Sequence, residues 1–118
     1  MKKTAVINVV GLSKRLIGQN TPFLSKWAAN KNISNIDPVL PAVTCPVQTT
    51  YLTGKWPEEH GIVANGWFYR DVQEVRSWHQ SNKLVQAPSI WDHAKKIDPS
   101  FTCANMFWWF NMYSSVDY

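Results

Sequence analysis

The sequence predicts an α/β fold with a mostly parallel sheet and an inserted β-hairpin, and three observations predict it. The run Thr4–Val10 (TAVINVV) is apolar and β-branched and closes at Gly11, as a strand buried on both faces does. A helical pattern and a second extended run follow, which together make one strand–helix–strand crossover. Farther on, Trp67–Arg70 and Glu74–Trp78 flank Asp71–Gln73 with alternating aromatic and charged residues, the pattern of a hairpin.

Each element has its own warrant. The loop after the first strand belongs at the carboxyl edge of a sheet, where α/β proteins bind ligands. Thr21-Pro22 reads as an N-cap and a first helical residue. Phe23, Leu24, Trp27 and Ala28 then recur at helical spacing, so Pro22–Asn30 is an amphipathic helix ended by Asn30-Lys31-Asn32. Ile33–Leu40 is the second strand, its pairing limited by Pro38. After Pro41-Ala42-Val43 a short helix runs from Pro46 to Thr53 and stops at Gly54, and Lys55–Glu59 is a turn. Ser89 with Asp92 forms a capping-box variant for a helix over Ser89–Lys96, with Ile90, Trp91 and Ala94 inward and Asp92 and His93 toward solvent. Phe101–Phe110 is a third strand, or a strand passing into a loop. The rings of Phe107, Trp108, Trp109 and Phe110 cannot all face one way on a strand: buried they are core, and exposed they would make a platform for a sugar or nucleobase.

The chemistry gathers at Thr44. A residue just before or at a helix N-terminus meets unpaired N–H groups and the positive end of the dipole, a place that attracts phosphate. A hydroxyl aimed at bound phosphate is a candidate nucleophile. The competing reading makes Thr44 a plain N-cap. Cys45 is a local competitor as nucleophile, since a helix N-terminus lowers a thiol pKa. Asn65-Gly66 is a turn dipeptide, and a turn is also a way to point an amide into a site.

Thr44-x-Pro46, Thr53-Gly54, Pro57, His60-Gly61-Ile62 and Asn65, in this order and spacing, resemble the nucleophile region of the type I phosphodiesterase/nucleotide pyrophosphatase family of the alkaline phosphatase superfamily. The resemblance implies the N-terminal portion of an alkaline-phosphatase-like three-layer α/β/α sandwich, with the mostly parallel sheet and inserted hairpin described above. It implies Thr44 as catalytic nucleophile and metal ligand, and Asn65 as a catalytic amide donating to a phosphate oxygen. It also implies two divalent ions, commonly zinc, a covalent phospho-threonine intermediate, and hydrolysis of phosphodiester or pyrophosphate bonds in nucleotides or similar small substrates. His60 belongs to the scaffold in such a site.

Two departures accompany the resemblance. The family ends its first strand in Asp-Gly, the Asp ligating a metal, whereas this chain has Val10-Gly11. The later D-x-x-x-H and D-H metal ligands are missing, and none of His60, His79 and His93 has their context. The expectation is therefore a partial catalytic domain over residues 1–118, cut short after residue 118 and inactive alone. The alternative is a catalytically degenerate scaffold or a non-enzymatic, aromatic-rich ligand-binding module.

Composition bounds the rest. With 118 residues the chain makes at most one domain, and 45% hydrophobic residues suffice for a core. The net charge of +4 is scattered rather than striped, which argues against a nucleic-acid polymer as partner. Two cysteines make no disulfide framework and fit a reducing compartment, and no targeting segment or apolar run of membrane-spanning length is present. The expected location is the cytoplasm.

Overall fold

The computed structural model describes residues 2–30 and 33–118, and these divide into two compact units at Asp37-Pro38. In the first unit Pro22–Ala29 forms helix α1, with Pro22 at its first position as the sequence predicts. Thr21 does not cap this helix with its side chain. Its hydroxyl instead accepts from Gly18 N–H and donates to the Leu16 carbonyl, both at 2.9 Å, so it pins the turn that precedes the helix. Lys31 and Asn32, read as part of the helix end, lie outside the described residues.

The strand expected over Thr4–Val10 is not formed. The segment makes no ladder, and Val6, Ile7 and Val10 are 72%, 80% and 82% exposed. β-Branched composition describes a side chain that fits a pleated, half-buried surface, and it makes a strand only where a second backbone supplies N–H and C=O partners. The same reason applies to Ile33–Leu40, whose residues are outside any strand.

The second unit is built on helix α2, Thr44–Thr53. Gly54 ends it with φ 67°, the left-handed conformation that glycine adopts without a Cβ penalty. A single-turn helix α3, Pro57–His60, occupies the region read as a turn. Pro57 starts it, and the Glu59 carboxylate accepts from Trp56 N–H at 3.2 Å while pairing with Lys55 Nζ at 2.9 Å. Strands β1 (Gly66–Tyr69) and β2 (Glu74–Ser77) form the expected antiparallel hairpin, with Gly66 opposite Ser77. A Cβ on Gly66 would stand 2.7 Å from the Arg76 carbonyl oxygen, so this close strand approach requires glycine.

Helix α4 runs from Ile90 to Ile97. The capping box is present, with Ser89 N–H donating to Asp92 Oδ2 at 2.7 Å. Trp91 is buried, but Ile90, expected inward, is exposed, and Asp92, expected in solvent, is half-buried. The cause is the chain end packed beside α4. Trp91 Nε1–H donates to Ser115 Oγ, Ser115 Oγ–H donates to Asp92 Oδ1, and Lys95 Nζ donates to both Ser115 O and Asp117 Oδ1.

Among the described residues the hairpin is the sole sheet, so the architecture is mixed α/β with one two-stranded antiparallel sheet. Phe101–Phe110 is outside any strand, and at Phe107 and Phe110 the backbone takes φ 64° and 59°, which no ladder accommodates. One parallel bridge joins Ser81 to Met112. The core of the unit is Cys45, Ile62 and Phe110, with Trp67, Leu84, Val85 and Trp109 packed against it. No helix among the described residues is long and apolar enough to cross a membrane.

Candidate functional site

Thr44 is the first residue of α2, two positions earlier than Pro46 suggested. Its predecessor Val43 occupies the N-cap and makes no side-chain cap, which overturns the reading of Thr44 as a plain capping residue. A helix start leaves four N–H groups without helical partners. Here Pro46 has none to offer, and Val43 N–H donates to the Pro41 carbonyl at 2.8 Å. Cys45 N–H donates to Asn65 Oδ1 at 2.9 Å. Among the described residues neither the N–H nor the hydroxyl of Thr44 has a hydrogen-bond partner.

The Cys45–Asn65 bond ties Asn65, one of the two residues named for the site, to the residue that follows Thr44, the other. It also orients Asn65. The backbone N–H is a donor, so the atom it meets is the amide oxygen, and the Asn65 Nδ2H₂ is left to donate elsewhere. The expectation that N–H groups near Cys45 would hold phosphate oxygens is thereby narrowed, since the Cys45 N–H is occupied in aiming the amide. What stands at this end of α2 is one hydroxyl, one backbone N–H and one amide, all donors, and all suited to an oxyanion.

The scaffold beneath is tightly hydrogen-bonded. Thr49 Oγ1 donates to the Cys45 carbonyl at 2.8 Å and Thr53 Oγ1 to the Thr49 carbonyl at 2.7 Å. His60 is fully buried between α2 and the loop after α3. Its Nδ1 accepts from Ile62 N–H at 3.1 Å, which fixes the proton on Nε2, and Nε2–H then meets Thr50 Oγ1 at 3.0 Å. Burial holds its pKa below the usual 6.5, against the pull of the Glu58 and Glu59 carboxylates. With both nitrogens engaged and the ring neutral, His60 is a scaffold residue, as the resemblance implies. Gly61 caps α3 with φ 78°, and a Cβ there would stand 2.8 Å from the Gln86 side chain.

Cys45 does not compete as a nucleophile. Its thiol is buried in the core, and burial raises its pKa. Val10, at the position of the expected carboxylate, presents an exposed apolar side chain that cannot ligate a cation. Among the described residues no group of three His, Cys, Asp or Glu side chains is placed to hold a metal ion. A hydroxyl and an amide alone do not fit a divalent ion.

Sequence reasoning missed three supporting residues. Gln48 is buried, and its Oε1 accepts from Trp109 N–H at 2.9 Å across 61 residues. Trp78 N–H donates to the Asn65 carbonyl at 2.7 Å, and its ring lies 5.0 Å from that of Trp109. A polar Gln within the helix was the one visible signal, since a buried amide requires a partner.

The hairpin carries a separate aromatic group. Trp67, Tyr69 and His79 pack together, Tyr69 Oη lies 3.2 Å from His79 Nε2, and Arg76 sits over the Tyr69 ring at 5.2 Å.

Comparison with known proteins agrees on one family. The family model described as type I phosphodiesterase / nucleotide pyrophosphatase matches residues 4–118. An uncharacterised pyrophosphatase/phosphodiesterase of Schizosaccharomyces pombe is 36% identical over 77 residues, covering 64% of this chain and 15% of that protein. The ectonucleotide pyrophosphatase/phosphodiesterase 1 of Saccharomyces cerevisiae is 34% identical over 99 residues, covering 76% of this chain and 13% of that protein. The chain thus spans well under a fifth of the length of these relatives. No solved structure matches it at a significant level.

Proposed function

The chain belongs to the type I phosphodiesterase/nucleotide pyrophosphatase family, and from that premise we propose that it carries the nucleophile segment of a hydrolase of phosphodiester or pyrophosphate bonds, with nucleotides or similar small diesters as substrates. The observation that carries this reading is the Cys45 N–H···Oδ1 Asn65 bond, which ties a directed amide to the residue after Thr44, whose hydroxyl is unpartnered at a helix start.

In the proposed reaction Thr44 Oγ attacks phosphorus in line. The bond from phosphorus to the leaving alcohol or nucleotide breaks, the threonine hydroxyl proton leaves with that group, and a phospho-threonine diester remains. Water then breaks the Thr44–phosphorus bond and restores the hydroxyl. Asn65 Nδ2 and the Thr44 N–H donate to the non-bridging oxygens, where charge builds in the transition state. One such donor contributes roughly 3 kcal/mol.

The family resemblance also implies two divalent ions with Thr44 as one ligand; Thr44 and Asn65 alone do not fit such ions, so no step here runs through a metal. The alkaline-phosphatase-like sandwich with its parallel sheet is likewise proposed, with Thr4–Val10 as a strand that gains its ladder there.

The test is hydrolysis of bis(p-nitrophenyl) phosphate by the full-length protein, with and without added zinc. Thr44→Ala is expected to lower turnover at least about 10³-fold, as loss of a nucleophile does. Near-normal turnover by that variant would sink the assignment.

A further inference from the structure

Asn65 is held from two sides, and both holds lead back to α2. Its side-chain oxygen accepts from Cys45 N–H at 2.9 Å. Its backbone carbonyl accepts from Trp78 N–H at 2.7 Å. The Trp78 ring lies 5.0 Å from the Trp109 ring, tilted by 31°. Trp109 N–H donates to Gln48 Oε1 at 2.9 Å, and Gln48 lies one helical turn after Thr44. The contacts close a circuit: α2, Gln48, Trp109, Trp78, Asn65, Cys45 and α2 again.

We infer that Gln48 is a positioning residue for the phosphoryl-transfer site, acting through Trp109 and Trp78 on Asn65. The inference rests on the function proposed above and extends it to residues that touch no substrate. Three features favour positioning over mere packing. Gln48 is buried, so its amide oxygen must be satisfied, and its partner is a backbone N–H rather than a side chain free to turn away. Trp78 holds φ 61°, a conformation a bulky residue keeps only where its surroundings fix it. Finally, a single hydrogen bond at the Asn65 side chain leaves its backbone free to rotate the amide away. A second hold on the carbonyl removes that freedom. Donors fixed before the reaction need no reorganisation as charge develops, and a misplacement of about 1 Å can cost a large factor in rate.

The test is a double-mutant cycle in the full-length protein. Gln48→Leu removes the acceptor while keeping the side-chain bulk, and Gln48→Glu keeps an acceptor oxygen at the same reach. Gln48→Leu is expected to lower kcat about tenfold with KM within about twofold, and Gln48→Glu to recover most of the loss. In an Asn65→Ala background Gln48→Leu is expected to cost little more, because its effect passes through the amide already removed. Equal losses in both backgrounds, or an unchanged kcat, would overturn the inference. Amide hydrogen exchange of the same proteins decides it without turnover. Gln48→Leu is expected to speed exchange at Cys45 N–H while exchange in α4 stays as in the wild type. Unchanged exchange at Cys45 would refute the circuit, whereas absent turnover with faster Cys45 exchange would refute only the proposed hydrolysis.

Discussion

Two apolar stretches of this chain meet opposite fates. Thr4–Val10 carries five exposed β-branched side chains and no backbone ladder. The stretch from Thr44 to Ile62 is less uniformly apolar, yet it contains the most deeply buried residues of the second unit: Cys45, Pro46, His60 and Ile62. The difference lies in how each stretch finds partners. Thr44–Ile62 folds back on itself within a few residues, through α2, Gly54 and α3, and buries its polar groups with local bonds such as His60 to Thr50 and Ile62. A strand of a parallel sheet gains nothing from its neighbours in sequence and depends on distant chain for every hydrogen bond. Hydrophobicity decides that a segment favours burial; the range of its contacts decides what is needed to bury it.

Substitutions sharpen this contrast, beginning with the largest effect. Ile62→Ala empties a site that is 0% exposed in the core and is expected to cost about 2–5 kcal/mol, read from urea unfolding. Asn65→Ala removes the directed amide and the partner of Cys45 N–H, and kcat in the full-length protein should fall about 10²-fold, roughly 3 kcal/mol of transition-state stabilisation.

The packed region should also carry a pH signature. The His60 imidazole takes up a proton near pH 6.5 when unfolded but only at lower pH when folded, because burial disfavours the cation. Between those values the unfolded chain binds more protons, so stability is full above pH 6.5 and falls as the pH drops below it. Unfolding midpoints measured from pH 8 to pH 5 should decline across that interval, and a flat profile would contradict the buried, neutral ring. The smallest effect belongs to the other stretch. Val10→Ala should change stability by no more than about 0.5 kcal/mol, and a loss comparable to that at Ile62 would show that Val10 is buried in solution.

The residues that organise themselves locally were legible in the sequence. Gly54 marked the end of α2, Pro22 the start of α1, Asn65-Gly66 the entry to the hairpin, and Ser89 with Asp92 the cap of α4. Each works through its own backbone geometry or through a partner three residues away. The family motif singled out Thr44 and Asn65, and Asn65 Oδ1 accepts from the N–H of Cys45, the residue after Thr44. The rest depended on distant contacts. Nothing near Gln48 announces Trp109, and nothing in an aromatic run announces that Phe107 is 97% exposed while Phe110 is buried. Left-handed backbone at Phe107 and Phe110 is a tertiary outcome that overrides their strand propensity.

The central claim is that the hydroxyl at the start of α2 is the nucleophile, beside an amide that α2 itself aims. The most direct measurement is acid quenching of the full-length protein during turnover of bis(p-nitrophenyl) phosphate, followed by mass spectrometry of the peptide containing Thr44. The account predicts p-nitrophenyl phosphate esterified to Thr44, and its disappearance in Thr44→Ala together with turnover. Continued turnover with the adduct on another residue would contradict it.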